Sequence, residues 1–142
     1  MKTQEIANRL ILLCRKGAYL QAYQELYDEH AVSKEMNAVF NDVTEGKNNI
    51  IREYLKSKDN IVEIHHQYIS DPLVADHFFV VKMASDITFA DIGRQEMEEL
   101  CLYKVENGKV AEALFFYAPI QPLNGFFVDY KNKKPLEEEL FV

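Results

Sequence analysis

The chain has 142 residues, of which 48% are apolar and 27% charged, with a formal net charge of −7. That length fits one domain with a real core, and the composition is that of ordinary globular proteins, which argues against a disordered chain. The acidic balance excludes a phosphate-backbone binder: beyond Lys131, Lys133 and Lys134 there is no basic run, Glu137-Glu138-Glu139 follows directly, and no nucleic-acid partner is expected.

The first segment, "MKTQEIANRLILLCRKG", has an apolar stretch only from Leu10 to Cys14, too short for the core of a secretion signal. Nothing approaches the roughly 18 apolar residues of a membrane span, so no membrane partner and a cytoplasmic location are expected. Thr3 is positioned as an N-cap, and Ile6, Leu10, Leu13 and Cys14 recur at helical spacing until Gly17 ends the run. A second helix carries Tyr19, Ala22, Tyr23, Leu26 and Tyr27 as one stripe, which reads as helix–helix packing. Asp28-Glu29-His30 is a polar break, and "AVSKEM" reads as a short strand holding Glu35. A third helix runs from about Gly46 to Ser57, with Ile50, Ile51, Tyr54 and Leu55 on one face.

From Ile61 the period changes. "IVEIHHQYIS", "HFFVVKMASDITFA", "EMEELCLYKV" and "VAEALFFYAP" are rich in β-branched and aromatic residues. Asp71-Pro72 and Asp91-Ile92-Gly93 separate the first three, and the Asn107-Gly108 pair marks a tight hairpin between the last two. The order α-α-β-α-β-β-β-β implies an α+β fold in which three helices cover one face of a sheet curled into a cone with an interior cavity. Residues 119–142 form an extension whose Phe126, Phe127 and Tyr130 are apolar enough to require packing on the cavity mouth, the outer sheet face or a second subunit. Cys14 and Cys101 each sit in an apolar pattern and read as reduced packing residues rather than a disulfide.

"LYDEHAV" after two helices, "TEGKNNI" at the third, and "MEELCLYKVENGKVAEALFFY" across the last hairpin stand in a shared order and spacing. Over roughly residues 4–118 this ensemble resembles the nuclear transport factor 2-like superfamily, in particular its SnoaL-like branch. The resemblance implies a domain at 1–118 with a cone-shaped, curved antiparallel sheet packed on three N-terminal helices, a cystatin-like or nuclear transport factor 2-like α+β barrel. That superfamily includes ketosteroid isomerase, polyketide cyclases, dehydratases and non-catalytic binding modules, so fold alone does not supply function. By its isomerase-like pattern Glu35 takes the place of the general base. The oxyanion tyrosine of the isomerase would fall near Leu10, and its second acid near Cys101; neither residue can do that work.

Strand alternation then assigns faces. The resemblance puts Met97, Glu99, Cys101, Tyr103 and Val105 inward, with Ala111, Ala113, Phe115 and Tyr117 opposite. Lys82 and Asp86 want water, so Phe79, Val81, Met83 and Ser85 are the inner set of their strand. The expected cavity is mostly apolar, lined by Phe79, Val81, Met83, Ser85, Cys101 and Phe115, with Glu35, Glu99, Tyr103, Tyr117 and His65 as its polar groups. A carboxylate in such surroundings is expected to hold its proton more tightly and to exchange it near neutral pH. Glu35 is therefore the candidate acid–base, with Tyr103 or Tyr117 donating to a developing enolate. The competing reading pairs Glu35 with Lys34 or Arg52 at the rim. His65-His66 offers no spacing for a tetrahedral metal site, and neither metal nor cofactor is expected. Leu100, Leu102, Leu114 and Phe116 form an apolar outer face that implies a homodimer through the sheet, and the implied ligand is a small apolar molecule.

Overall fold

The structure is a computed structural model that describes residues 1–36 and 41–118, together with the backbone of 128–129 and 134–135. Its first elements are α1 (Thr3–Arg15), α2 (Tyr19–Leu26), β1 (Tyr27–Met36), β2 (Asn41–Glu45) and α3 (Lys47–Lys58). There follow β3 (Ile61–Ile69), β4 (Leu73–Ala75), β5 (Phe78–Phe89), β6 (Gly93–Glu106) and β7 (Lys109–Phe116). A separate two-strand ladder pairs Val128–Asp129 with Lys134–Pro135. The expected packing of Phe126, Phe127 and Tyr130 lies outside the described residues.

The helices end where their sequences say they must. Gly17 has φ +74°, its N–H donates to the Cys14 carbonyl at 3.0 Å, and the Ala18 N–H reaches the Leu13 carbonyl at 2.8 Å. Those paired bonds close the last turn of α1 around a left-handed residue, which glycine adopts without strain. At the other end Thr3 is the first helical residue and Lys2 the cap, with the Lys2 N–H donating to the Glu5 carboxylate at 3.2 Å. α2 is tied to α1 by a two-pronged ion pair, Arg9 Nε to Glu25 Oε2 at 2.7 Å and Arg9 Nη2 to Glu25 Oε1 at 2.9 Å.

The sheet has seven strands in the order β2-β1-β7-β6-β5-β3, with β4 added to β5. It is mixed. β1 lies parallel to β7, with Glu35 opposite Phe115, and all other pairs are antiparallel. The antiparallel expectation misses this one ladder because no hairpin joins β1 to β7; α3 and five strands intervene, leaving the direction free. β1 also begins at Tyr27, so the polar Asp28-Glu29-His30 is strand rather than a break, and β2 and β4 are additional short strands. Register shifts in β1, in β3 and between Lys104 and Val105 bend the strands and produce the curl.

The concave face meets α1 and α2. Ile6, Leu10, Ile11, Leu26, Phe79 and Cys101 belong to one buried cluster with Val81, Tyr103, Val105 and Val110. Tyr103 stacks on Phe79 with ring centroids 4.7 Å apart and meets Phe115 edge-on at 6.1 Å. Such aromatic pairs add about 0.5–1.5 kcal/mol beyond the area they bury.

Two outcomes follow from these caps and ties. Gly17→Ala places its Cβ in open space, so only the left-handed backbone is penalised, and the urea midpoint falls by the equivalent of about 1–2 kcal/mol with no change in slope. The Arg9 guanidinium holds the Glu25 carboxyl down at about 2 against an ordinary 4.5, so its stabilisation is complete above pH 4.5 and fades as pH falls toward 2. The melting temperature of Glu25→Gln therefore lies below that of the native chain at pH 7 and converges with it near pH 2; a gap independent of pH would show that the ion pair contributes nothing.

Candidate functional site

Alternation along β1 buries Ala31, Ser33 and Glu35 and turns Val32 and Lys34 the other way. Lys34 Nζ then pairs with Glu112 at 3.2 Å on the outer side of the sheet. Arg52 Nη1 donates to the Asn49 side chain at 2.9 Å, within its own helix. Glu35 is 7% exposed. The carboxylate at position 35 thus faces the interior.

Among the described residues the concave face holds two adjoining hollows. The larger, about 820 Å³, is walled by Met83, Ser85, Ile87 and Phe89 of β5, Met97 and Glu99 of β6, Ile61, Ile64 and Gln67 of β3, and Tyr19 and Tyr23 of α2. Tyr117, Ala118 and Lys58 also line it. The smaller, about 170 Å³, is lined by Ser33, Glu35, Thr44, Ile50, Glu53 and Phe115. Tyr23, Tyr54, Ser57 and Glu99 line both, so the two are neighbouring compartments of one site. α3 supplies its share through helical spacing: Ile50, Glu53, Tyr54 and Ser57 fall on one face, and that face looks into the small chamber.

The expected site residues divide into three groups. Glu35 and Phe115 line the small chamber, Glu99 lines both, and Met83, Ser85 and Tyr117 line the large cavity. Phe79, Val81, Cys101 and Tyr103 have the inward parity expected of them, yet they belong to the packed core at 0%, 0%, 0% and 3% exposure. Tyr103 is held between Phe79 and Phe115, and it lines neither hollow. His65 is on neither wall. It is the extra residue of the bulge between Ile64 and His66, is exposed, and lies 2.6 Å from Thr88 Oγ1 through Nε2. Bulging lets both histidines leave the cavity side, which simple alternation forbids. On β7 the extra residue is Ala111, so Val110 rather than Ala111 takes the inward place opposite Val105.

Three tyrosines that the sequence does not single out as site residues line the hollows. Tyr19, Tyr23 and Tyr54 form a wall, with centroids 6.1 Å apart for Tyr19–Tyr54 and 5.4 Å for Tyr23–Tyr54. Tyr19 and Tyr23 form an i, i+4 pair on α2, a spacing that reads equally as core, and Tyr54 comes from α3. Burial pushes the Tyr23 hydroxyl well above its ordinary value, and Cys14, Tyr54 and Glu35 add to the effect. Burial does the same at Tyr19, with contributions from Cys14 and Glu99. These phenols are therefore neutral donors at physiological pH. The Cys14 thiol is pushed up to about 12 by burial, which makes it an inert packing residue; Cys14 and Cys101 are both free. No group of three His, Cys, Asp or Glu among the described residues is placed to hold a metal ion. Nor is any described helix long and apolar enough to cross a membrane.

A family model described as a SnoaL-like domain matches residues 1–117. A Mesorhizobium loti protein provisionally named a SnoaL-like polyketide cyclase (its name also carries the words carbohydrate phosphatase) is 28% identical, and the alignment spans 82% of this chain and all of that one with a TM-score of 0.77. A nuclear transport factor 2-like protein of Burkholderia thailandensis aligns with a TM-score of 0.71 at 13% identity, over 82% of this chain and 91% of its own. A Jannaschia protein, also provisionally named a SnoaL-like polyketide cyclase, gives 0.64 at 15% identity over 82% and 86%. No curated protein matches the sequence.

Proposed function

The chain belongs to the SnoaL-like domain family, and from that premise we propose that it binds a small, largely apolar molecule on its concave face and exchanges a proton with it through Glu35. The observation that carries this reading is the position of Glu35, buried on β1 and lining a chamber shared with Glu99, Tyr23 and Tyr54. A carboxylate held next to a bound carbonyl compound can remove an α-proton, and a well-placed base of this kind contributes roughly 10²–10⁴ in rate. Tyr117, on the wall of the adjoining cavity, is the candidate donor to the resulting enolate. The reaction class is cofactor-free isomerisation, cyclisation or dehydration, and the provisional polyketide-cyclase name of the Mesorhizobium loti relative agrees with it.

A second reading, a binding module without turnover, is favoured by one observation: Tyr103 is packed in the core and does not line the chamber with Glu35. Hydrogen–deuterium exchange at the α-carbon of an enolisable bicyclic ketone such as 2-tetralone separates the two. The catalytic reading expects exchange above the buffer rate and a drop of about 10²-fold or more in Glu35→Gln. Binding of the ketone with exchange at the buffer rate leaves the module reading instead.

The outer face carries the proposed association surface. Leu100 and Phe116 are 51% and 40% exposed there, flanked by the half-buried Leu102 and Leu114 on paired strands. We propose that a second copy covers this patch, since its apolar residues are contiguous across β6 and β7. The two buried free cysteines suit a reducing, cytoplasmic setting. Sedimentation velocity at micromolar concentration is expected to give a dimer, reduced to monomer by Leu100→Lys; a native chain that sediments as a monomer would overturn the association.

A further inference from the structure

The large cavity is open to solvent close to where the family domain stops. Ile64, Gln67 and Glu96 line it and are exposed, Ile64 to 50%, and Ile61 and Met97 on the same wall are half-buried. The chain leaves from that wall: β7 ends at Phe116, and Tyr117 and Ala118 line the cavity themselves. Pro119 has no N–H with which to extend the β7 ladder. The family model stops at residue 117, and the Mesorhizobium loti relative is covered in full by 82% of this chain. Residues 119–142 therefore lie beyond the shared domain.

We propose that residues 119–142 dock on the open side of the large cavity, with the apolar pair Phe126-Phe127 set against its wall, and so complete the ligand site from within the same chain. The docking stands on its own observations; its consequence for the ligand rests on the binding reading above.

Reach, composition and charge point the same way. Seven residues, 119–125, separate Ala118 from Phe126, and extended backbone of that length spans about 24 Å, ample for a hollow of about 820 Å³. Asn124-Gly125 has the residue chemistry of a chain reversal just ahead of the aromatic pair, which lets the segment double back over the wall it left. A packed phenylalanine buries about 150–250 Å², and Ile61, Ile64, Ile87 and Met97 present apolar surface to receive the pair. Val128–Asp129 pairs with Lys134–Pro135, and a two-strand ladder is marginal in water unless it packs on something. Lys131, Lys133 and Lys134 follow the aromatic pair, while Glu96 and Glu98 line the cavity from exposed positions, Glu98 also lying 3.5 Å from Lys82. Opposite signs there orient the segment across the opening more than they hold it, because exposed charges are screened. The outer sheet face is within reach as well. It is the convex side of the curl, and a short segment buries more of itself in a hollow than on a convex surface.

The test is NMR of the full native chain with labelled Phe rings and labelled Ile, Leu and Met methyl groups. Nuclear Overhauser contacts from Phe126 or Phe127 to the methyl groups of Ile61, Ile64 or Met97 are expected. Contacts to Leu100, Leu102 or Leu114 instead place the segment on the outer face and overturn the proposal, as does the absence of any contact with the domain. In a mixture of chains labelled only in Phe and chains labelled only in methyl groups the contacts should vanish; their persistence assigns the segment to a second copy and overturns docking within one chain. Phe126→Ser combined with Phe127→Ser should move the Ile64 and Met97 methyl signals and leave those of Leu100, Leu102 and Leu114 in place, which also shows that the variant is folded. Bound 2-tetralone should leave that variant about tenfold faster or more. Release at the native rate overturns the part in which the segment completes the ligand site. A native chain that shows the contacts and binds no 2-tetralone overturns the ligand reading and leaves the docking standing.

Discussion

Everything in this molecule depends on how far the helices reach along the concave face of the sheet. α1 and α2 pack against one end of β5 and β6, where Phe79, Val81, Cys101, Tyr103 and Val105 are buried against Ile6, Leu10 and Leu26. Further along the same strands, on the same face, Met83, Ser85, Ile87, Phe89, Glu99 and Met97 line open space. A strand therefore changes from core to cavity wall without changing its pattern. Full occupation of the concave face would have made the fold a solid sandwich with no hollow beside Glu35 and Glu99.

The separation of charge across the sheet follows from the same arrangement. On the outer surface the acids are matched: Lys82 with Glu98 at 3.5 Å, Arg94 with Asp86 at 2.7 Å, Lys104 with Glu106 at 3.0 Å. These are exposed pairs, each contributing about 0–1 kcal/mol, and they orient the surface more than they stabilise it. Inside, Glu35 and Glu99 share their walls with tyrosines contributed by α2 and α3. Because side chains alternate, Lys34 and Glu35 are neighbours in sequence and strangers in space.

This explains what could be read from the residues and what could not. The parity of β5 and β6 was legible, since Lys82 and Asp86 fix the outer side and all inner positions follow at intervals of two. The end of α1 was legible at Gly17 and the hairpin between β6 and β7 at Asn107-Gly108, where positive φ demands particular residues. Depth along a strand was not legible: Cys101 and Glu99 have the same parity, and only the position of α1 decides that the first is core and the second is wall. Bulges were likewise invisible, and they moved His65 out of the cavity and displaced Ala111 from the inner row. The tyrosines failed for a third reason. A Tyr19–Tyr23 pair at helical spacing satisfies packing and cavity lining equally, and the choice waits on Tyr54, whose helix arrives from a distant part of the chain.

The resemblance to the isomerase placed its two supporting groups near Leu10 and Cys101, and the fold explains why neither position can serve. Leu10 is 2% exposed and Cys101 0%, both deep in the packed end. Two residues back along β6 the side chain at 99 has the same inward direction but emerges in the open half, where it borders both compartments. On the helical side, Tyr54 of α3 occupies a wall that α1 does not reach. Polar groups on this scaffold thus become available to a ligand by sliding along a strand or changing helix, steps that preserve parity and leave the core intact. Such steps leave the fold as it is while changing which polar groups meet on the concave face.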